Sequence, residues 1–456
     1  MRVAFAGSFS LRPKAGVLSC GMSVAQPLPL DHAVGRTALR KASLRLIPLF
    51  ALGYGIAYMD RVNISFASLQ MNRDLYFSAS IYGFGAGLFF VSYAACEVPS
   101  NLLLYRVGAR RWFARIMFTW GLLAMGMMFV RTPVQFYVMR FLLGMAEAGF
   151  FPGVIFYLGQ WFPQHMRARA ISRFYVAYPV STVLMGAIAG LLLGLQGKAG
   201  LAGWQWLFLI EGLPAIVLSI VLLVSLPSSP EEAKWLTAEE RRWILHHVLP
   251  SGAADGHRKN IGRALLDRRV WQISLVFLCM LGASYAYTFS APAIVQGLTG
   301  LSIRNVGFLV ALMNLLGAPA MILNAMHSDR TKERYLHVAI PFLLVTGGYL
   351  VAGLSVAPFI AVPALALSSL GYFSLQGPLL ALAISFLHGK SAAAGIATMN
   401  TVGILGGFLG PLGMGLAKDL SGSYQRGLLM LVIPTGIAAT TIFLMRARCR
   451  QTNALL

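Results

Sequence analysis

Six ionisable side chains stand inside apolar runs of this sequence: Asp60, Arg61, Glu97, Arg140, Glu147 and Glu211. A charge in hydrocarbon costs roughly 2.5 to 3.5 kcal/mol on insertion scales, so such residues face protein or water and mark functional sites. Arginine offers a planar fork that matches a carboxylate. A carboxyl group beside it can carry a proton, because burial and a nearby guanidinium pull its proton affinity in opposite directions. The chemistry these types suggest is recognition of an organic anion coupled to a proton. Arg140 and Glu147 are seven apart, which places both on one helix face. At about 1.5 Å per residue, Arg61 and Arg140 reach similar depths and Glu147 lies nearer the middle. In that arrangement Arg61 and Arg140 clamp the anion and Glu147, below them, carries the proton. A purely structural alternative pairs Asp60 with Arg61 and Arg140 with Glu147.

These residues need a membrane-spanning bundle to hold them. The chain has 456 residues, is 57% hydrophobic and 11% charged, and has a mean hydropathy of +0.69. Runs of about 20 apolar residues, the length that crosses a bilayer, occur at 46–69, 81–104, 112–131, 134–158, 171–195 and 204–226. Six more occur at 270–296, 304–326, 337–357, 359–387, 392–417 and 425–445. The expected fold is an all-α membrane protein of 12 transmembrane helices in two pseudo-symmetric six-helix halves. Its parts are a largely disordered tail (1–44), a first half (45–226), a linker (227–269), a second half (270–446) and a short tail (447–456). Such repeats place a transport site at their interface, near the midplane.

The net charge of +22 does not point to nucleic acid, because the basic residues cluster in short segments between spans. With the N-terminus inside, 29 of the 37 Lys and Arg fall on the cytoplasmic side and six outside. This asymmetry orients both termini toward the cytoplasm. The interiors of the spans after Arg269 hold no Asp, Glu, Lys or Arg, so charge recognition belongs to the first half. Their polar content is neutral, including Tyr285, Tyr287, Asn314, Gln376 and Asn400, and rings such as Phe289, Tyr372 and Phe373 would suit an aromatic acid.

Glu97 is expected to partner loop arginines and Glu211 to be structural. In the linker, Thr237 and Glu240 have capping-box spacing, with the surrounding charges forming a solvated face. The four cysteines are far apart and read as free thiols, and no metal spacing occurs. The first twenty residues match a cleaved signal poorly. They read as a tail, or Met22 is the true start. No nucleophile or His–Asp pair marks an enzyme, and a polar segment of about 40 residues is short for a receptor's output domain.

The chain from about Thr37 to Arg446 resembles the major facilitator superfamily. The loop 2–3 signature GxLADRxGRR is matched by Asn101-Leu-Leu-Leu-Tyr105-Arg106-Val-Gly108-Ala-Arg110-Arg111, with Tyr105 at the Asp position. Its counterpart in loop 8–9 is Ser328-Asp329-Arg330-Thr331-Lys332-Glu333-Arg334. The resemblance implies gating loops built on Arg106, Gly108, Arg110, Arg111, Asp329 and Arg330. Longer motifs are similar to the anion:cation symporter family: Asp60-Arg61-Val62-Asn63-Ile64, Val98-Pro99-Ser100-Asn101, Arg110-Arg111-Trp112, Arg140 through Gly153, and Trp204 through Gly212. That family includes permeases for tartrate, phthalate, hydroxyphenylacetate and sugar acids. The resemblance implies substrate and proton roles for Asp60, Arg61, Arg140 and Glu147. It implies pocket roles for Tyr58, Tyr93 and Asn400, to which the neutral content of span 10 adds Gln376. The resulting expectation is a monomeric proton-coupled symporter of an organic carboxylate in the bacterial inner membrane, without a cofactor. Exchange or export of organic anions is the alternative.

Overall fold

The computed structural model describes residues 29–248, 267–385 and 392–454. The question of Met1 or Met22, the tail before residue 29, the middle of the linker and the last two residues lie outside the described residues. Twelve helical runs are long and apolar enough to cross a membrane. The first half holds α1 (Pro29–Asp74), α2 (Ala79–Val107), α3 (Ala109–Gly126), α4 (Pro133–Glu147), α5 (Phe150–Gly159), α6 (Gln164–Tyr175), α7 (Ala177–Leu193) and α8 (Gly203–Ser225). The linker carries α9 (Ala238–Val248). The second half holds α10 (Arg268–Thr299), α11 (Ile303–Leu315), α12 (Gly317–Thr331), α13 (Leu336–Leu354), α14 (Pro358–Ser385), α15 (Ala392–Ser421) and α16 (Tyr424–Ala454).

Residues 29–44, expected as disordered tail, are instead the first turns of α1. Ala38, Leu39 and Ala42 are buried, and the ring of Trp243 from α9 packs against Gly35. The linker helix therefore supplies the partner that an isolated tail would lack. Thr237 and Glu240 form the expected capping box, with Thr237 N–H donating to Glu240 Oε2 (2.9 Å) and Glu240 N–H to Thr237 Oγ1 (3.2 Å). The linker charges are not all a solvated face, however. Glu240 is 5% exposed and accepts from Lys41 Nζ of α1 at 2.8 Å. Burial opposes its charge, yet Lys41 and the Thr237 N–H outweigh burial and hold the carboxyl below its usual range. At the other terminus, the expected tail after residue 446 continues α16 as helix to Ala454. Arg446 Nε donates to Glu333 Oε1 at 3.2 Å.

Span 4 is broken between α4 and α5. Gly149 takes φ +87°, and a Cβ there would meet Ser100 Oγ at 2.3 Å. A glycine adopts this left-handed conformation without steric cost. The break makes Glu147 the last residue of α4. One turn earlier, a Cβ on Gly144 would meet the Phe89 carbonyl at 2.2 Å. α4 thus lies close against α2, as small residues allow in membrane bundles.

Close backbone approaches join the two halves at the end away from the linker. A Cβ on Gly83 (α2) would meet the Pro411 carbonyl (α15) at 2.3 Å, and one on Gly186 (α7) the Gly307 carbonyl (α11) at 2.5 Å. Asp419 of α15 caps α2, accepting from Ala79 N–H (3.1 Å) and Ser80 N–H (2.8 Å). At the linker end, side chains make the connection. Tyr175 O–H donates to Gln376 Oε1 (3.3 Å) and Asn400 Nδ2 to Glu97 Oε1 (3.4 Å). A larger side chain at Gly186 would press on the Gly307 carbonyl and Ala311 of α11. Overpacking costs about 1 to 3 kcal/mol, and about 1.4 kcal/mol is tenfold. Gly186→Leu is expected to lower uptake by about five- to a hundredfold on these scales. Solvent labelling of a cysteine placed at Ser302 should rise in parallel as the far end opens, and unchanged labelling and uptake would show that the seal is not part of the cycle.

Candidate functional site

A cavity lies between the halves. Its wall takes Tyr58, Ser65 and Phe66 from α1, Tyr178 and Thr182 from α7, Ser284, Tyr285 and Thr288 from α10, and Asn314, Tyr349, Ser369, Tyr372 and Phe373 from the second half. Rings and hydroxyls alternate around it. Tyr58 packs on Tyr178 (ring centroids 4.2 Å apart), and Tyr178 on Phe373 (5.5 Å). Of the rings anticipated near the pocket, Tyr285, Tyr287, Tyr372 and Phe373 line it. Phe289 instead packs on Phe90, and Tyr93, also expected in the pocket, is not on its wall but faces Arg61. Tyr178, Thr182, Ser284 and Ser369 were not anticipated, because neutral residues in a span carry no signal that separates cavity lining from packing.

The ionisable residues fall into two layers. Neither Arg61 nor Glu147 lines the cavity; in the layer behind its Tyr58 wall, Arg61 Nη2 is paired with Glu147 Oε1. The Arg61 guanidinium lies 5.1 Å from the Tyr93 ring centroid, 5.3 Å from that of Tyr58 and 5.6 Å from that of Phe89. These faces attract a guanidinium. Arg61 Nε and Glu147 Oε2 have no hydrogen-bond partner among the described residues. The pair is therefore single-contact, and Arg61 Nε is left for another acceptor.

The deeper layer holds Arg140 and Asp60. Arg140 is 1% exposed. Its Nη2 donates to the Ala86 carbonyl at 3.3 Å, and its guanidinium covers the Phe89 ring at 5.0 Å. Asp60 accepts from Trp120 Nε1 (2.9 Å) and Asn63 Nδ2 (3.2 Å). The ion pairing is thus crossed relative to the structural alternative: Arg61 takes Glu147, and Asp60 is held by α3 and by its own helix. Successive residues point about 100° apart around a helix, so Asp60 and Arg61 cannot share one face. A clamp made of both guanidiniums does not form in this conformation, because Arg140 stands behind Phe89.

The remaining candidates are dispersed. Gln376 and Asn400 lie at the linker-end contacts between the halves and not on the cavity wall. Glu97, expected to meet loop arginines, meets Asn400. Of the gating residues, Gly108 ends α2 with φ +89°, and Arg110 donates to the Leu226 carbonyl (2.7 Å) and Glu232 Oε2 (2.7 Å). Arg106, Arg111, Asp329 and Arg330 are exposed. Among the described residues no ion pair joins these gating residues across the halves. Asp419, which seals the opposite end, escaped notice because a lone acid at a span boundary resembles any loop residue.

The sequence model of the Major Facilitator Superfamily matches residues 50–411. A putative tartrate transporter of Agrobacterium vitis is 46% identical over 391 residues, 86% of this chain and 87% of the relative. A quinolone resistance transporter of Acinetobacter baumannii is 37% identical over 92% of this chain and 98% of its own. Among solved structures, a bacterial homologue of the human lysosomal transporter Spinster, in an inward-facing unoccupied conformation, superposes with a TM-score of 0.75. It shares 16% identity and covers 92% of this chain and 97% of that one. Twelve spans in two halves, an interfacial cavity and a family match across both halves lead to one assignment: the chain belongs to the Major Facilitator Superfamily and is a membrane transporter, not an enzyme.

Proposed function

We propose that the protein is a proton-coupled symporter of an organic carboxylate, acting as a monomer in a bacterial inner membrane with both termini and the linker cytoplasmic. The observation that carries this reading is the single-contact pair of Arg61 and Glu147 beside the cavity. A substrate carboxylate that takes the Arg61 fork removes the ion-pair partner of Glu147. A buried carboxylate without a partner is costly, so Glu147 then takes a proton. The loaded site carries a neutral Glu147 and a neutralised Arg61, and the halves can rock around it. On release the proton leaves and the pair re-forms. The name of the Agrobacterium relative supports a carboxylate substrate, and the hydroxyl-rich wall suits an anion that itself bears hydroxyls. The Lys and Arg asymmetry supports the orientation.

The name of the Acinetobacter relative favours a second reading, export or exchange through the same site. Proteoliposomes separate the two. For symport, labelled tartrate should accumulate when the outside is made acidic and stop when a protonophore dissipates the gradient. Uptake that ignores the gradient and requires an anion inside would establish exchange. Ciprofloxacin extruded against its gradient, without tartrate uptake, would establish export.

A further inference from the structure

Glu211 of α8 is a buried acid for which the symport scheme has no use. It is 6% exposed, and neither of its carboxyl oxygens has a hydrogen-bond partner among the described residues. The polar groups near it come from α1: the Asn63 amide and the Asp60 carboxylate. Asn63 is committed to Asp60 through Nδ2 at 3.2 Å. α3, which packs closely on α8 where a Cβ on Gly212 would meet the Gly121 carbonyl at 2.7 Å, offers Trp120, already donating to Asp60. Its charged residues Arg110, Arg111 and Arg115 stand at its linker end, a turn and a half or more from Gly121. α7 carries no Asp, Glu, Lys or Arg. From α4, Arg140 is engaged with the Ala86 carbonyl and Glu147 with Arg61. Arg61 is held by Glu147.

The interior of the first half therefore contains Asp60, Glu147 and Glu211 but only the guanidiniums of Arg61 and Arg140. An ionised carboxylate with no donor and no cation is not sustained in such a place. Asp60 has two donors and a nearby guanidinium, and Glu147 has Arg61. Glu211 has no cation, and the one amide near it, that of Asn63, already donates to Asp60, so Glu211 is the acid that is neutral. It also has neighbours in the site: Asn63 stands near both Glu211 and Asp60, Arg140 lies near Asp60, and Asp60 and Arg140 act in turn on Glu147, the partner of Arg61.

We infer that Glu211 is a second proton-carrying acid of the transport cycle, loaded in this conformation and giving its proton to the neighbouring Asp60 carboxylate when substrate alters the charge on Arg61 and Glu147. The inference rests on the symport reading and adds a coupled proton to it. Each coupled proton multiplies the accumulation limit about tenfold per unit of pH gradient.

The test is Glu211→Gln in proteoliposomes. Glutamine copies the neutral acid in shape but cannot release a proton. Accumulation of tartrate under a gradient of one pH unit is expected to fall about tenfold, with a much smaller loss in tartrate counterflow, which needs no net proton movement. Equal accumulation by the variant and the parent overturns the inference, because a merely structural neutral acid is fully replaced by Gln. Should the variant not fold, dicyclohexylcarbodiimide, which adds to protonated buried carboxyls, is applied to the unaltered protein and the adduct is mapped by mass spectrometry. An adduct at Glu211 is expected, and its absence overturns the assignment. Failure of symport itself looks different, since the unaltered protein then ignores the gradient.

Discussion

Glu147→Gln is expected to abolish proton-driven accumulation while leaving substrate binding intact or tighter. The amide keeps the size of the side chain and can still accept from Arg61, but it removes the charge. A buried guanidinium stripped of its counter-charge costs about 3 to 5 kcal/mol. The empty carrier bears that cost, whereas the loaded one does not, because the substrate carboxylate supplies the missing charge. Tartrate should therefore raise the thermal unfolding temperature of the variant by more than that of the parent. Counterflow should persist, since exchange needs only the loaded carrier to reorient. Net uptake should be slow, and its level should equal the outside concentration whatever the pH gradient. A variant that still accumulates tartrate under the gradient would remove Glu147 from proton coupling.

The membrane architecture was legible because a bilayer demands about 20 apolar residues per crossing, and this chain meets that demand twelve times. The candidate residues stood out as a set for the same reason: Asp60, Arg61, Arg140 and Glu147 are conspicuous in hydrocarbon. Their pairing was not legible. Adjacency of Asp60 and Arg61 in sequence suggests a pair, but helix geometry sends them to different neighbours, Trp120 and Glu147. The break at Gly149 and the closeness of α4 to α2 at Gly144 decide where Glu147 ends up, and both are tertiary facts. The cavity wall was hidden for a different reason. Thr182, Ser284 and Ser369 are neutral and small, and their meaning comes only from the helix opposite. Glu240 shows the reverse error, a charge read as solvated that α1 covers with Lys41.

Arg61→Ala and Arg61→Lys separate binding from mere helix pairing. A charge-assisted, desolvated contact costs about 2 to 5 kcal/mol when one partner is truncated, so Arg61→Ala should lower uptake by about thirtyfold or more at subsaturating tartrate. Lysine restores the charge but not the fork, nor the flat contact with the Tyr58 and Tyr93 rings. An intermediate loss is expected, carried by KM. Stability and transport should then part company in the double variant Arg61→Ala/Glu147→Ala. If the pair serves only to join α1 to α4, removing both charges relieves the buried unpaired group that each single variant leaves, and folding and uptake recover together. If Arg61 binds the substrate, the double variant regains thermal stability while uptake stays as low as in Arg61→Ala. Recovery of both quantities would reduce the pair to a structural contact and leave the anion without a cationic partner on the cavity side, because Arg140 lies behind Phe89.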